Sequence, residues 1–133
     1  MKVSADTNVL VRAHMLDDPD QARAAQDLLR RAELVVIPTV VLCEFAWVLR
    51  RAYRLEAPGI ALAIRSLLGS ATVRADTAAA EAGLAMLEAG GDFADAVIGL
   101  EGARMGAEEF ATFDREAARR MPSAIRTRLL LRC

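Results

Sequence analysis

Two aspartates of this chain stand directly after short runs that are typical of buried strands. Asp6 follows the run 2–5, and Asp114 follows the run 110–113. If both runs are parallel strands of one sheet, the two carboxylates meet at the same edge of that sheet. Carboxylates at such an edge can bind a cation. The alternative role of Asp6 is to cap the helix that follows it.

Glu44 lies in a segment that is otherwise apolar. It is the only charged residue between Glu33 and Arg50, so we expect it on a central helix that is buried nearly all round. A carboxylate in that environment costs several kcal/mol unless a cation compensates it. The alternative is an ion pair with Arg51.

Asp92 and Asp95 share the first turn of a predicted helix that begins at Phe93. Either aspartate can be explained by capping and by the helix dipole alone. We assign the capping role to Asp92. Since Asp95 is followed by the apolar run 96–98, we expect its side chain to face inward.

A cluster of these acids would contain strongly repelling charges, so it makes sense only around cations. Oxygen ligands without histidine or thiolate select Mg²⁺ or Mn²⁺ over Zn²⁺. We name the group Asp6, Glu44, Asp95 and Asp114 the acidic set.

Few other reactive side chains are available. His14 is the single histidine, and Lys2 is the one lysine among 17 basic residues. A phospho-accepting receiver domain and a haloacid-type phosphatase each need a lysine later in the chain. A metal-dependent phosphodiesterase needs only carboxylates that hold its metal ions, which activate water and stabilise the pentavalent phosphate. The phosphodiesterase therefore fits best.

The elements that must position the acidic set alternate between strands and helices. The 133 residues have the length of one domain. The alternation predicts an α/β fold, with a parallel sheet that carries helices on both faces. Thr39 is the expected N-cap of one long helix. We predict strands over 2–5, 34–37, 71–74, 110–113 and 126–131, and helices over 21–32, 39–54, 57–68, 77–89 and 93–105, with short helices after Asp6 and after Asp114.

The composition excludes several other classes of protein. With 54% hydrophobic and 26% charged residues the chain is globular rather than disordered, and its net charge of −1 does not suit a general nucleic-acid binder. Cys43 and Cys133, ninety residues apart, favour a reducing compartment over a disulfide framework. The longest uncharged run, 34–43, is too short for a membrane span. We expect a cytoplasmic domain without a membrane segment.

Four motifs in this order resemble the PIN-domain ribonucleases, and most closely the toxins of VapBC-type toxin–antitoxin modules. They are Asp6-Thr7-Asn8-Val9-Leu10, the embedded Glu44, Asp95-Ala96-Val97-Ile98 and Ala111-Thr112-Phe113-Asp114.

The resemblance implies a three-layer α/β/α sandwich around a central parallel sheet, with residues 1–133 as a single nuclease domain. It also implies an endoribonuclease that uses Mg²⁺ or Mn²⁺, forms a homodimer and is silenced by a cognate antitoxin. The acidic set would bind the metal, with Asp92 as an accessory acid. Asn8 and Thr112 would hydrogen-bond those carboxylates.

Substrate binding is less clearly marked in the sequence. From Arg115 onward the chain has six arginines and one glutamate, a basic flank that either holds an RNA backbone or is simply solvated. Arg12 and Arg115 are our candidates for phosphate contacts. Aromatic residues make up 5% of the chain, and we expect most of them in the core.

The two helices predicted over 39–54 and 57–68 are apolar on more faces than one core can use. We expect a second copy of the chain to cover Trp47 or Leu62.

Two other functions stay open. One is a catalytically weak PIN module that serves as a binding partner, and the other is a DNA-directed or structure-specific nuclease.

Overall fold

A computed structural model describes residues 1–122 and 125–131 of the chain. The chain divides into two compact units, residues 1–76 (unit 1) and residues 77–133 (unit 2). Unit 1 contains β1 (Lys2–Ser4), α1 (Thr7–Met15), α2 (Pro19–Arg31), β2 (Leu34–Val36), α3 (Thr39–Arg51), α4 (Ala57–Leu68) and β3 (Val73–Arg74). Unit 2 contains α5 (Thr77–Glu88), α6 (Phe93–Arg104), β4 (Glu109–Thr112), α7 (Arg115–Arg120) and β5 (Arg126–Leu129).

The sheet of unit 1 has three parallel strands in the order β1-β2-β3. Val3 pairs with Val35, and Val35 pairs with Val73. Helix α1 packs against α2 and α3, and α3 packs against α4. Apolar side chains from the strands and helices fill the core of this unit. The largest of the fully buried ones are Leu10, Val35, Ile37, Leu42, Phe45, Leu49, Ile60 and Ile64.

In unit 2 the strands β4 and β5 are also parallel, with Phe110 paired to Thr127. Helices α5 and α6 pack on each other. One apolar cluster connects the helices to the two strands, since it draws on α5, α6, β4, α7 and the residue before β5. Its members are Met86, Ala96, Phe110, Ala117 and Ile125.

The alternation of helices with parallel strands confirms the predicted α/β fold. Helix α4 has the predicted bounds, and the other elements differ from prediction by a few residues at their ends. The hydrogen-bonded strands of the described residues form two sheets, one in each unit, where one central sheet was expected.

In residues 1–122 and 125–131 no helix is both long and apolar enough to cross a bilayer.

Helix α3 begins and ends differently from the prediction. Pro38 occupies the N-cap position that Thr39 was expected to fill. The Pro38 carbonyl accepts hydrogen bonds from the N–H groups of Val41 (2.9 Å) and Leu42 (3.2 Å), so Thr39 is the first residue of the helix rather than its cap. The helix ends at Arg51 rather than Arg54.

The end of α3 is a tight turn. Arg54 takes a left-handed backbone conformation with a φ of 56°. The Leu55 N–H then donates to the Leu49 carbonyl (3.0 Å), six residues back, and this bond closes the turn. The chain therefore reverses direction where the sequence predicted that the helix continues to residue 54.

Helices α5 and α6 approach each other closely where Gly83 meets Phe93, and both residues are buried. A Cβ atom on Gly83 would lie 2.5 Å from the Phe93 ring carbons Cε2 and Cζ. Real contacts of a Cβ atom are longer than this, so the packing of the two helices requires a residue without a side chain at position 83.

We predict that Gly83→Ala lowers the free energy of unfolding by about 1–3 kcal/mol, because the added methyl group overpacks the core. Urea denaturation measures the effect. Gly102→Ala is the matched control, since its Cβ would meet only Ala107 Cβ, at 3.7 Å. Its higher helix propensity should leave stability level or raise it by up to about 1 kcal/mol. Equal losses in the two variants would contradict the packing argument.

Candidate functional site

Asp6 joins the end of β1 to the start of α1. The Ala5 N–H donates to the Val36 carbonyl (2.9 Å), so sheet pairing continues to the residue before Asp6. Asp6 is the N-cap of α1, and its Oδ1 accepts a hydrogen bond from the Thr7 N–H (2.7 Å). The capping role that we considered is therefore present. Asp6 is exposed, and within the described residues its Oδ2 atom accepts no hydrogen bond, so this oxygen can serve a ligand.

Glu44 lies on the exposed side of α3, which corrects the expected burial of this carboxylate. Helix α3 has two distinct faces. Val40, Glu44 and Trp47 form an exposed stripe, and the buried face is made by Val41, Leu42, Phe45, Ala46 and Leu49. Glu44 makes no ion pair with Arg51 in the described part of the chain. Glu44 is therefore neither a buried carboxylate nor an ion-pair partner of Arg51 within the described residues.

Thr7 is the polar partner of Glu44 and is not among the residues predicted for the site. The Thr7 hydroxyl donates to Glu44 Oε1 (3.1 Å), which joins the start of α1 to the middle of α3. Thr7 is only 6% exposed. The sequence contains a pattern that could have identified Thr7. Its spacing from Leu10 and Val11 places the three residues on the same face of a helix. A polar residue on an apolar face needs a hydrogen-bond partner.

Asn8, by contrast, is exposed, and its side chain makes no hydrogen bond within the described residues. Its role in supporting a carboxylate stays a prediction.

Two of the acids in unit 2 cap helices. Asp92 is the N-cap of α6, and its Oδ1 accepts a hydrogen bond from the Ala94 N–H (3.0 Å), which confirms the predicted cap. Asp114 is the N-cap of α7, and its Oδ1 accepts hydrogen bonds from the N–H groups of Glu116 (2.8 Å) and Ala117 (3.2 Å). These bonds fix the orientation of both carboxylates.

Thr112 supports Asp114 through the backbone rather than through the carboxylate. Its hydroxyl oxygen accepts a hydrogen bond from the Asp114 N–H (3.0 Å). This contact holds the turn between β4 and α7, and so sets the direction in which Asp114 leaves the strand.

Asp95 differs from these acids. Its side chain is half-buried and accepts no hydrogen bond from any described residue. Burial raises the pKa of Asp95 above its ordinary value, and the negative charges of Asp92 and Asp114 raise this pKa further. A positive charge placed near Asp95 would therefore favour its ionised form.

The donor chemistry of the acidic set fits a hard divalent cation. Asp6 and Glu44 belong to unit 1, whereas Asp95 and Asp114 belong to unit 2. Across residues 1–122 and 125–131 no three His, Cys, Asp or Glu side chains are arranged as a metal site. The available donors are nevertheless carboxylate oxygens, which Mg²⁺ and Mn²⁺ prefer. The repulsion around Asp95 is the kind that a cation would relieve.

The two arginines that we singled out differ in their availability. Arg12 Nη1 donates to Asp17 Oδ1 (3.1 Å), so this guanidinium already has an acidic partner. Tyr53 donates to the other oxygen of Asp17 (2.7 Å), and this bond, aided by Arg12, holds the pKa of Asp17 below its usual value. Arg115 is exposed and has neither an ion pair nor a side-chain hydrogen bond within the described residues. Arg115 is therefore the better candidate for a phosphate contact.

Much of the basic flank is neutralised by nearby glutamates. Arg119 and Arg120 both pair with Glu116, at 2.5 Å and 2.9 Å. Arg128 pairs with Glu109 through two hydrogen bonds of 2.7 Å and 2.8 Å. The flank is consequently less free to bind phosphates than its composition indicates.

Comparison with known families gives a match over most of the chain. The PIN domain model matches residues 4–122, a range that contains the whole acidic set. No curated protein matches the sequence. PIN domains are generally metal-dependent nucleases. The match and the parallel α/β architecture agree with the resemblance that the motifs indicate, and this chain belongs to the PIN-domain family.

Proposed function

We propose that this protein is an endoribonuclease that depends on Mg²⁺ or Mn²⁺ and acts as the toxin of a toxin–antitoxin pair. The observation that carries the nuclease proposal is the state of Asp95. This half-buried carboxylate has no hydrogen-bond donor among the described residues, and two neighbouring acids raise its pKa. A bound cation would relieve the repulsion around this group, and PIN domains typically use divalent metal ions.

In this proposal the acidic set acts as one metal-binding group, and residues 1–133 act as a single nuclease domain. The support comes from the donor chemistry of Asp6, Glu44, Asp95 and Asp114 and from the family match, which extends over residues 4–122. Asp92 is an accessory acid, because its cap bond and its effect on the pKa of Asp95 give it an indirect role.

When bound, a divalent cation supplies charge neutralisation at the phosphodiester and a water that is nucleophilic at neutral pH. The side chains of the protein have to be held in place for this chemistry. The cap bonds of Asp6 and Asp114 each occupy one carboxylate oxygen and leave the other for a ligand. The Thr7 hydroxyl holds Glu44 in the same way. Fixed carboxylates of this kind bind a cation without a further loss of side-chain entropy.

The toxin role and the cognate antitoxin rest on the resemblance of the four motifs to toxins of the VapBC type. RNA as the substrate rests on the same resemblance. A short neighbouring reading frame whose product binds this chain and blocks RNA cleavage is the discriminating finding for the biological role.

We also propose that the protein is a homodimer. Large apolar side chains on two contacting helices of unit 1 are exposed, with Val40 at 64%, Trp47 at 60% and Leu62 at 71%. Isolated exposed residues are ordinary, but large exposed apolar side chains on two contacting helices favour an interface. Self-association of one patch is the commonest way to cover it.

The dimer should dissociate when a charge is placed in this patch. We predict that Trp47→Glu converts a dimer into a monomer at micromolar concentration, measured by light scattering. Met105→Glu is the control, because Met105 is 89% exposed and lies in unit 2. A wild-type protein that is strictly monomeric under these conditions would refute the dimer.

Divalent cations should stabilise the purified protein against heat. A ligand that binds only the folded state adds RT ln(1 + [L]/Kd) to its stability. We expect the melting temperature to be higher in millimolar Mn²⁺ than in EDTA, measured by thermal denaturation. Coincident melting curves would mean that the acidic set does not bind a metal.

Asp95→Asn separates metal binding from helix capping. Because the pKa of Asp95 is raised, the folded protein loses stability as the pH rises from 3.8 through that raised pKa. Removal of the charge should therefore leave the metal-free stability at neutral pH unchanged or higher. The stabilisation by Mn²⁺ and the rate of RNA cleavage should fall, the latter by orders of magnitude.

Asp92→Asn is the matched control, since an asparagine keeps the cap bond to the Ala94 N–H. We expect a much milder effect on cleavage. Full activity of Asp95→Asn with an inactive Asp92→Asn would show that the wrong aspartate of the pair has been assigned. Cleavage of DNA but not RNA by the wild-type protein would contradict the proposed substrate.

A further inference from the structure

A cleft of about 770 Å³ in unit 2 lies beside one member of the acidic set. One wall consists of consecutive residues at the end of β4 and the start of α7. The other wall is apolar and comes from the end of β5 and the residues that follow it. The cleft is lined by Thr112, Phe113, Asp114, Arg115, Leu129, Leu130 and Leu131.

Phe113 is an exposed aromatic residue in this cleft. Its side chain is 54% exposed, and three of the six aromatic residues, Phe45, Phe93 and Phe110, are buried, so the expectation that most aromatic residues lie in the core is not met. Phe110 lies within strand β4 and faces the core, whereas Phe113 lies beyond the end of the strand at Thr112, in the turn before α7.

Arg115 provides a positive charge at the same cleft. It is exposed and has no acidic partner among the described residues, unlike Arg119, Arg120 and Arg128. Asp114, which we propose as a metal-binding acid, lies between Phe113 and Arg115 in the sequence. An aromatic ring, a cation and an acid of the proposed active site therefore line one cleft.

We propose that this cleft is a nucleotide-binding subsite, in which an RNA base stacks on Phe113 and an adjacent phosphate pairs with Arg115. This inference rests on the proposed nuclease function and adds to it the residues that hold the strand. A single-stranded nucleic acid matches the cleft because each nucleotide carries both a flat aromatic base and an anionic phosphate. The leucines at 129–131 give the base an apolar second wall. Stacking on an aromatic side chain requires no particular base.

The test compares two single strands that have the same backbone charge. One is a fluorescent oligouridylate of about twelve nucleotides, and the other is an abasic strand of the same length. Binding is measured by fluorescence anisotropy in EDTA, so that neither strand is cleaved. We expect the wild-type protein to bind the oligouridylate about tenfold or more tightly, as the loss of a stacking contact typically costs.

The variants separate stacking from charge. Phe113→Leu should bring the affinity ratio of the two strands close to one, and Phe113→Tyr should preserve the ratio. Arg115→Gln should weaken the binding of both strands alike and lower the salt dependence by about one phosphate contact. Met105→Ala, an exposed residue outside the cleft, is the control that should change neither value.

A Phe113→Leu protein that keeps the wild-type ratio would overturn the subsite. So would a wild-type protein that shows no preference or no binding to either strand at low salt. Loss of a dimer in Phe113→Leu by light scattering would also overturn it, because a second copy would then cover the ring. The ratio does not depend on cleavage, so an intact ratio without any metal-dependent cleavage would refute the nuclease and leave the subsite standing.

Discussion

In unit 2 the half-buried carboxylate of Asp95 interacts with two further negative charges, and no described residue donates a hydrogen bond to it. Asp92 and Asp114 are its acidic neighbours, and both are themselves stabilised by backbone N–H groups at helix starts. The repulsion therefore falls on Asp95, whose pKa is raised. The charges of Asp92 and Asp114 make ionisation of Asp95 less favourable, and a bound cation would offset that effect. This repulsion supports the proposed metal-dependent chemistry.

Capping and metal binding are compatible roles for the same aspartate. Asp6 and Asp114 each follow a strand and begin a helix, so a single residue type ends the strand, caps the helix and presents an oxygen at the strand end. The cap bond restricts the side chain to one orientation before any ligand arrives. The Thr7 hydroxyl orients the carboxylate of Glu44, as the backbone N–H groups orient those of the aspartates. One carboxylate can therefore cap a helix with one oxygen and bind a ligand with the other.

The sequence was sufficient to predict most elements, because hydrophobic periodicity and turn residues act locally. Helix α4, with Pro58 in its first turn, is the clearest example. The predictions that failed depend on contacts between elements. Glu44 is exposed because only one face of α3 meets the core, and no local pattern says which face that is. Phe113 is exposed because β4 ends just before it, at Thr112, and no local pattern indicates where that strand ends.

Anomalous diffraction from crystals soaked in Mn²⁺ tests the central claim most directly, since it locates the cation without reference to activity. The proposal predicts a Mn²⁺ peak bound by the carboxylates of Asp95 and Asp114 in unit 2, and no such peak in Asp95→Asn crystals. A map with no peak at Asp95 in millimolar Mn²⁺, or with a peak that involves none of these aspartates, would contradict the proposed metal centre.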